Sequence, residues 1–180
     1  HLISISSNQY GLSKYLNENA SSDNEWKGEN FQKGDMNTTL IHTSKGKTIM
    51  LQHDVTSPRP YSRLFTVSGT DGFIQKYPIK SMCFSPNSHR SLNSNDINDT
   101  IIKYQPSVIK NIKQKAKEIG GHGGMDYIMD YRLIYCLRNG LPLDMDVYDA
   151  AEWSAIVELS KKSVEKGSMP MKIPDFTRGK

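Results

Sequence analysis

Cysteine is scarce. Of 180 residues only Cys83 and Cys136 are cysteine, far apart and with no C-x-x-C pair or clustered histidine. A structural zinc site is therefore not expected, and no disulfide can be assigned from sequence. No apolar run approaches the roughly 20 residues that cross a bilayer, so no helical membrane span is encoded. There is also no initiator methionine, charged leader or apolar signal core: the chain opens on His1 and runs straight into the strand-like Leu2-Ile3-Ser4-Ile5-Ser6. That opening reads as a cut inside a larger protein. The missing leader then says nothing of the compartment, and a periplasmic or exported parent is compatible. No G-x-G-x-x-G follows a strand, because Gly120-Gly121-His122-Gly123-Gly124 comes after a helical pattern. Nor is there a charge block of one sign. The formal charge is +4 with scattered Lys and Arg, and the densest basic stretch (Lys103, Lys110, Lys113, Lys115, Lys117) has helical spacing. With no aromatics interleaved for base stacking, it reads as a solvated helix face and not a nucleic-acid site.

What is present, 36% hydrophobic and 23% charged residues, suffices for one soluble core. Residues 8–34 are polar, with a short helix expected around Leu12 to Leu16. Thr38 to Thr43 and Lys47 to His53, around Ser44-Lys45-Gly46, form a hairpin pattern rich in β-branched residues. Arg63 to Ser68 and Phe73 to Tyr77, flanking Gly69-Thr70-Asp71-Gly72, predict a second. Ile79 to Asp99 reads as irregular, with at most an edge strand at Met82-Cys83-Phe84. Three helices follow. The first runs from Pro106 to Ile119, the second from Met125 to Asn139 with Gly140 behind it, and the third from a cap at Asp146 to Gly167. On the third, Val147, Ala150, Ser154, Val157 and Val164 share a face. Cys136 reads as a small core residue. Tyr127, Met129, Tyr131, Tyr135 and Trp153 read as core or domain-interface packing. Strands followed by helices predict an α+β fold: an open, mostly antiparallel sheet with helices on one face.

Two places can carry chemistry. In Asp54-Val55-Thr56-Ser57-Pro58-Arg59-Pro60-Tyr61-Ser62-Arg63 the prolines stiffen a strand connection and orient Arg59 and Tyr61. Arg59 offers several donors, and Tyr61 a flat ring with a hydroxyl, a combination suited to sugars. The same residues also read as a rigid connection with Tyr61 packed and Arg59 paired to Asp54. The second place is Gly121-His122-Gly123-Gly124-Met125-Asp126, where glycines allow close backbone approach, a helix begins, and His122 can exchange protons near neutral pH. Glycine clusters also serve tight helix turns, and Asp126 also reads as a carboxylate stabilised by the helix dipole. His122 and Asp126 alone do not make a metal site.

Five stretches together carry a resemblance. They are Asp35-Met36-Asn37-Thr38-Thr39, Ile49-Met50-Leu51-Gln52-His53-Asp54 through Arg63, Gly120 through Asp126, Cys136-Leu137-Arg138-Asn139-Gly140-Leu141-Pro142-Leu143-Asp144, and Pro174-Asp175-Phe176-Thr177-Arg178. The chain resembles the NAD-dependent α-N-acetylgalactosaminidases of glycoside hydrolase family 109, except between Pro78 and Gln105. The resemblance implies a glucose-fructose oxidoreductase-like architecture. Residues 1–180 would be part of the C-terminal substrate-binding α/β domain, with the N-terminal Rossmann domain and an upstream Tyr-x-x-His motif outside this chain. It implies NAD as cofactor, held mainly by that other domain, and a carbohydrate partner with terminal N-acetylgalactosamine. A homo-oligomer built through the sheet is compatible with it. Tyr61 matches a tyrosine the family uses for substrate binding; His122 as a catalytic residue and Arg59 as a substrate ligand come from local chemistry.

The family's mechanism is redox-neutral. The cofactor transiently oxidises C3 of the sugar, the ketone acidifies the C2 proton, elimination expels the glycosidic oxygen, water adds, and the hydride returns. Paired carboxylates are then not needed, and none is evident. The fragment alone is expected to be inactive. Two rivals remain: a sugar or polyol dehydrogenase on the same scaffold, and a non-catalytic carbohydrate-binding or oligomerisation domain. The latter predicts a gene beginning near His1, which upstream DNA would reveal.

Overall fold

Alternation and β-branching build the first sheet, and glycine or proline punctuation sets most helix ends. The chain runs β1 (Leu2–Ser6), α1 (Gly11–Asn19), β2 (Met36–His42), β3 (Thr48–Asp54), β4 (Thr66–Ser68), β5 (Gly72–Gln75), β6 (Ser81–Phe84), α2 (Ser94–Tyr104), α3 (Ser107–Ile119), α4 (Met125–Asn139) and α5 (Val147–Glu165). The structure is a computed structural model that describes every residue except Val55, Ser88 and residues 178–180. It divides into two units, His1–Pro58 with Met145–Lys180, and Arg59–Asp144. The fold is α+β with antiparallel sheets, as expected.

In the first unit the strands pair antiparallel in the order β1-β2-β3, with Leu2 opposite Ile41 and Ser4 opposite Thr39. Leu2, Ser4, Thr39 and Ile41 are buried, and α5 packs on β1. The anticipated face of α5 is corrected here, since Val147 and Val157 are 72% and 77% exposed. Ser160 and Ser163 are buried instead, with Ala155, Ile156 and Leu159 half-buried beside them. The reason is polar. The Ser163 hydroxyl accepts from the Ser4 backbone N–H at 2.9 Å and donates to the Met169 carbonyl at 2.8 Å, while Ser160 meets Thr39 at 3.2 Å. Buried hydroxyls must be paired, and the sheet offers partners only to this face. The outer edge of β1 is closed by the tail, where Leu2 and Met171 exchange backbone bonds of 2.9 and 2.8 Å.

α1 has no capping side chain of its own. Its free N–H groups are satisfied from a distance by Asp35, which accepts from Tyr10 N at 3.0 Å and Gly11 N at 2.9 Å, and from the Thr56 hydroxyl at 3.2 Å. These bonds to the charged form hold the Asp35 carboxyl below its ordinary value. Gly34 is what lets Asp35 approach, because a Cβ there would lie 1.9 Å from the Ser7 carbonyl oxygen.

The second unit carries the sheet β4-β5-β6, with Val67 opposite Ile74 and Phe73 opposite Cys83. The second hairpin is shorter than predicted on both strands. The edge strand expected at Met82-Cys83-Phe84 is present, whereas the irregular stretch expected up to Asp99 gives way to α2, which begins at Ser94. Asn93 starts that helix, its side chain accepting from Asn95 N and Asp96 N at 3.0 Å each, so the asparagines that suggested a loop include a cap. Buried here are Met82, Ile97, Ile112, Ala116 and Cys136. The lysines of α3 are exposed. α4 ends where Gly140 turns left-handed at φ 62° and its N–H returns to the Cys136 carbonyl. Arg132 on that helix is held by Asp144 through two bonds of 2.8 and 2.9 Å. No described helix is long and apolar enough to cross a membrane.

Candidate functional site

Two side chains brace the backbone between β3 and β4, one in each unit. Asp54 accepts from the backbone N–H of Thr56 at 3.2 Å and of Ser57 at 3.0 Å, closing a tight turn before Pro58. In the second unit, the Ser62 hydroxyl accepts from Leu64 N at 3.1 Å and Leu64 takes φ +44°, redirecting the chain toward β4. Tyr61 stands before this bend and is 70% exposed, so its ring is not buried within this chain. Its hydroxyl accepts from Arg63 Nε at 2.6 Å, and the Arg63 guanidinium lies 6.0 Å from the ring centroid. The ring meets Tyr77 edge-on, centroids 5.8 Å apart and planes at 85°, a favourable aromatic geometry. Arg59 is exposed.

The glycine cluster forms one turn of 3-10 helix, His122–Gly124, between α3 and α4. Gly124 is buried at φ +95°, and a Cβ there would lie 2.7 Å from the carbonyl oxygen of Ala116 on α3. His122 itself takes φ +45°, a region L-residues adopt at a cost of about 1–3 kcal/mol. Its Nδ1 donates to Asp126 Oδ2 at 2.8 Å, with the two side chains 75% and 45% exposed. The carboxylate thus orients the ring and leaves Nε2 as the nitrogen available for proton exchange. Among the described residues no hydrogen bond, ion pair or ring contact joins Tyr61 to His122. A shallow cavity of about 320 Å³ lies elsewhere, lined by Tyr131, Ile134, Tyr135, Arg138 and Asn139 of α4. Tyr127, Tyr131 and Tyr135 stack along that helix at 6.2 Å spacings. Tyr135, Met129 and Trp153 are exposed, so they are not core within this chain. Among the described residues no group of three or more His, Cys, Asp or Glu gathers to hold a metal ion.

Residues 1–180 match the family described as glycosyl hydrolase 109, C-terminal domain. The chain belongs to glycosyl hydrolase family 109. Glycosyl hydrolase family 109 protein 2 of Phocaeicola vulgatus is 51% identical over 179 residues, which is 99% of this chain and 43% of the relative. The α-N-acetylgalactosaminidase of Bacteroides fragilis is 50% identical over 179 residues, 99% of this chain and 42% of its own length. A family 109 protein of Porphyromonas gingivalis is 53% identical over 163 residues, 83% of this chain and 35% of the relative. The chain thus spans about two fifths of the curated relatives it matches.

Within this family 109 domain, the partners of the flagged residues escaped sequence reasoning. Arg63 and Tyr77 surround Tyr61, and Asp126 holds His122. Tyr61 and Arg63 are two apart, a spacing that lets both side chains reach one side of the backbone, and here they meet. His122 and Asp126 are four apart where a helix begins. Both spacings were visible, but neither specifies that the side chains meet.

Proposed function

We propose that this domain is the C-terminal, sugar-covering part of an NAD-dependent α-N-acetylgalactosaminidase. The observation that carries the reading is the full-length family match together with 50% identity to a relative named α-N-acetylgalactosaminidase. Tyr61 binds the sugar, its exposed ring offering an apolar face and its hydroxyl a hydrogen bond. Arg59 adds donors for a polar group of the substrate. His122 exchanges a proton through Nε2 while Asp126 fixes its tautomer. The tyrosine-lined side of α4 and exposed Trp153 support a further part of the reading, that these apolar side chains are covered in the longer protein.

Among the described residues, the glycine run does not fit a dinucleotide-phosphate turn. The glycine run follows α3 where a phosphate-binding turn follows a strand, and the Gly124 N–H is already engaged by the Gly121 carbonyl at 2.8 Å. This supports a cofactor held mainly by an N-terminal domain of the longer protein. Full-length protein hydrolysing an aryl α-N-acetylgalactosaminide should require NAD⁺ and release no net NADH. Stoichiometric growth of NADH absorbance would replace the glycosidase with a dehydrogenase. The 180-residue domain alone should neither hydrolyse this substrate nor bind NAD⁺ at micromolar concentration by calorimetry. In the full-length enzyme Tyr61→Phe should lower kcat/KM by about threefold to tenfold, the worth of one neutral hydrogen bond. Wild-type kinetics in that variant would refute a hydrogen-bonding role for Tyr61.

A further inference from the structure

The hydroxyl of Tyr61 is already engaged on one side. A phenol can donate one hydrogen bond and accept others, so an unconstrained tyrosine can meet either a donor or an acceptor on a ligand. Arg63 narrows that freedom by occupying one acceptor position of the phenol oxygen. A guanidinium has no acceptor, and its Nε–H points at the Tyr61 oxygen at 2.6 Å, so in this pair the phenol oxygen accepts. The phenol proton is then the part of the hydroxyl directed elsewhere. The rest of the surroundings hold this arrangement still. Tyr77 packs its ring against Tyr61 at 85°, and Tyr77 is itself half-buried with the Lys76 ammonium 5.2 Å from its centroid. The remaining, outward part of Tyr61 is the 70% of its surface open to a ligand.

We infer that Arg63 is a positioning residue that fixes the Tyr61 hydroxyl as a hydrogen-bond donor, so that the group it recognises on the sugar is an oxygen acceptor. The inference rests on the reading of Tyr61 as a substrate ligand. The recognised group is a lone-pair oxygen of a hydroxyl or an acetamido carbonyl, and a ligand offering only an N–H at that point is disfavoured. Arg63 does not touch the substrate in this scheme; it acts through Tyr61.

The test is a double-mutant cycle in the full-length enzyme, with kcat/KM for an aryl α-N-acetylgalactosaminide measured for wild type, Tyr61→Phe, Arg63→Met, Arg63→Lys and the Tyr61→Phe/Arg63→Met double variant. Arg63→Met should lose about threefold to tenfold, Arg63→Lys should fall between it and wild type because it retains an N–H donor, and the double variant should be no worse than Tyr61→Phe. Melting temperatures should stay close to wild type, since both side chains are exposed. Should Arg63→Met perturb folding, the same cycle with Arg63→Lys decides. Equal losses from the Arg63 change in the tyrosine and phenylalanine backgrounds would overturn the inference, because Arg63 would then act independently of the hydroxyl. Wild-type activity in Arg63→Met beside an impaired Tyr61→Phe would overturn it too and leave the Tyr61 reading standing. Wild-type activity in Tyr61→Phe would overturn the inference together with the hydrogen-bonding role of Tyr61.

Discussion

Ser163→Ala and Ser160→Ala make the same chemical change one turn apart on α5, yet the structure assigns them different costs. Ser163 is fully buried, accepts from the Ser4 N–H at 2.9 Å and donates to the Met169 carbonyl at 2.8 Å. Removing its oxygen strands a buried backbone donor on the outer edge of β1 and takes a donor from the tail. The hole left by one hydroxyl is too small for water to take over. A stranded buried donor costs about 1–3 kcal/mol and the second bond about 1 kcal/mol more, giving about 2–4 kcal/mol. Ser160 differs because its partner Thr39 has other company, Asn37 at 3.1 Å and Ser4 at 2.9 Å. Its loss should cost about 1 kcal/mol or less. With a urea slope of about 2 kcal/mol/M, Ser163→Ala should lower the unfolding midpoint by about 1–2 M and Ser160→Ala by about 0.5 M or less. Circular dichroism during urea titration of the domain measures both midpoints. Equal shifts at unchanged slope would refute the claim that the Ser4 N–H depends on Ser163.

Gly124→Ala should destabilise more than Gly123→Ala. Both take positive φ, costing an L-residue about 1–2 kcal/mol, but only position 124 would drive a Cβ to 2.7 Å from α3 backbone, adding about 1–3 kcal/mol of overpacking, whereas nothing lies within 4 Å at position 123. Comparable urea midpoints for the two variants would contradict the tight approach of that loop to α3. Asp35 predicts an acid dependence. Its carboxyl is held below 3.8, first by the Gly11 N–H against partial desolvation and then by the Tyr10 N–H and Thr56 hydroxyl. A depressed folded value means its stabilisation is complete above the unfolded value and fades as pH falls through the lower folded one. The stability gap between wild type and Asp35→Asn should therefore be widest near neutrality and close below about pH 4, and a gap independent of pH from 7 to 2 would count against the carboxylate.

Glycine and proline made some elements easy to read. α4 is flanked by glycines on both sides, and its expected bounds, Met125 to Asn139, coincide with the observed helix. Asp146 was legible for a similar reason: it caps α5 in a reciprocal box with Asp149. α2 was missed because Asn and Ser suit both turns and caps; composition weighed Asn93 as a turn residue, whereas the spacing Asn93, Asp96, Ile97 marked a helix start. The face of α5 was misjudged because apolarity alone pointed to Val147 and Val157, while the sheet beneath presents Ser4 and Thr39 and selects serines as partners. At the candidate site, Tyr61, Arg59 and His122 stand out as residue types in stiff or glycine-rich segments. Arg63 did not, because its role depends on a side-chain direction that a two-residue spacing permits without requiring.

The closure of β1 by residues 163 to 171 has a consequence during synthesis. The bond from Ser4 to Ser163 spans 159 residues, and the second unit is translated in between. At about 5–20 residues per second the first strand waits about 10–30 s for the groups that cover its outer edge. For that interval Leu2 to Ser6 is an uncapped template in a nascent chain, open to pairing with other polypeptides or with a chaperone. Residues 163 to 171, made well after β1, thus lock that strand in place, and truncation between Glu165 and Met171 would leave the waiting state permanent.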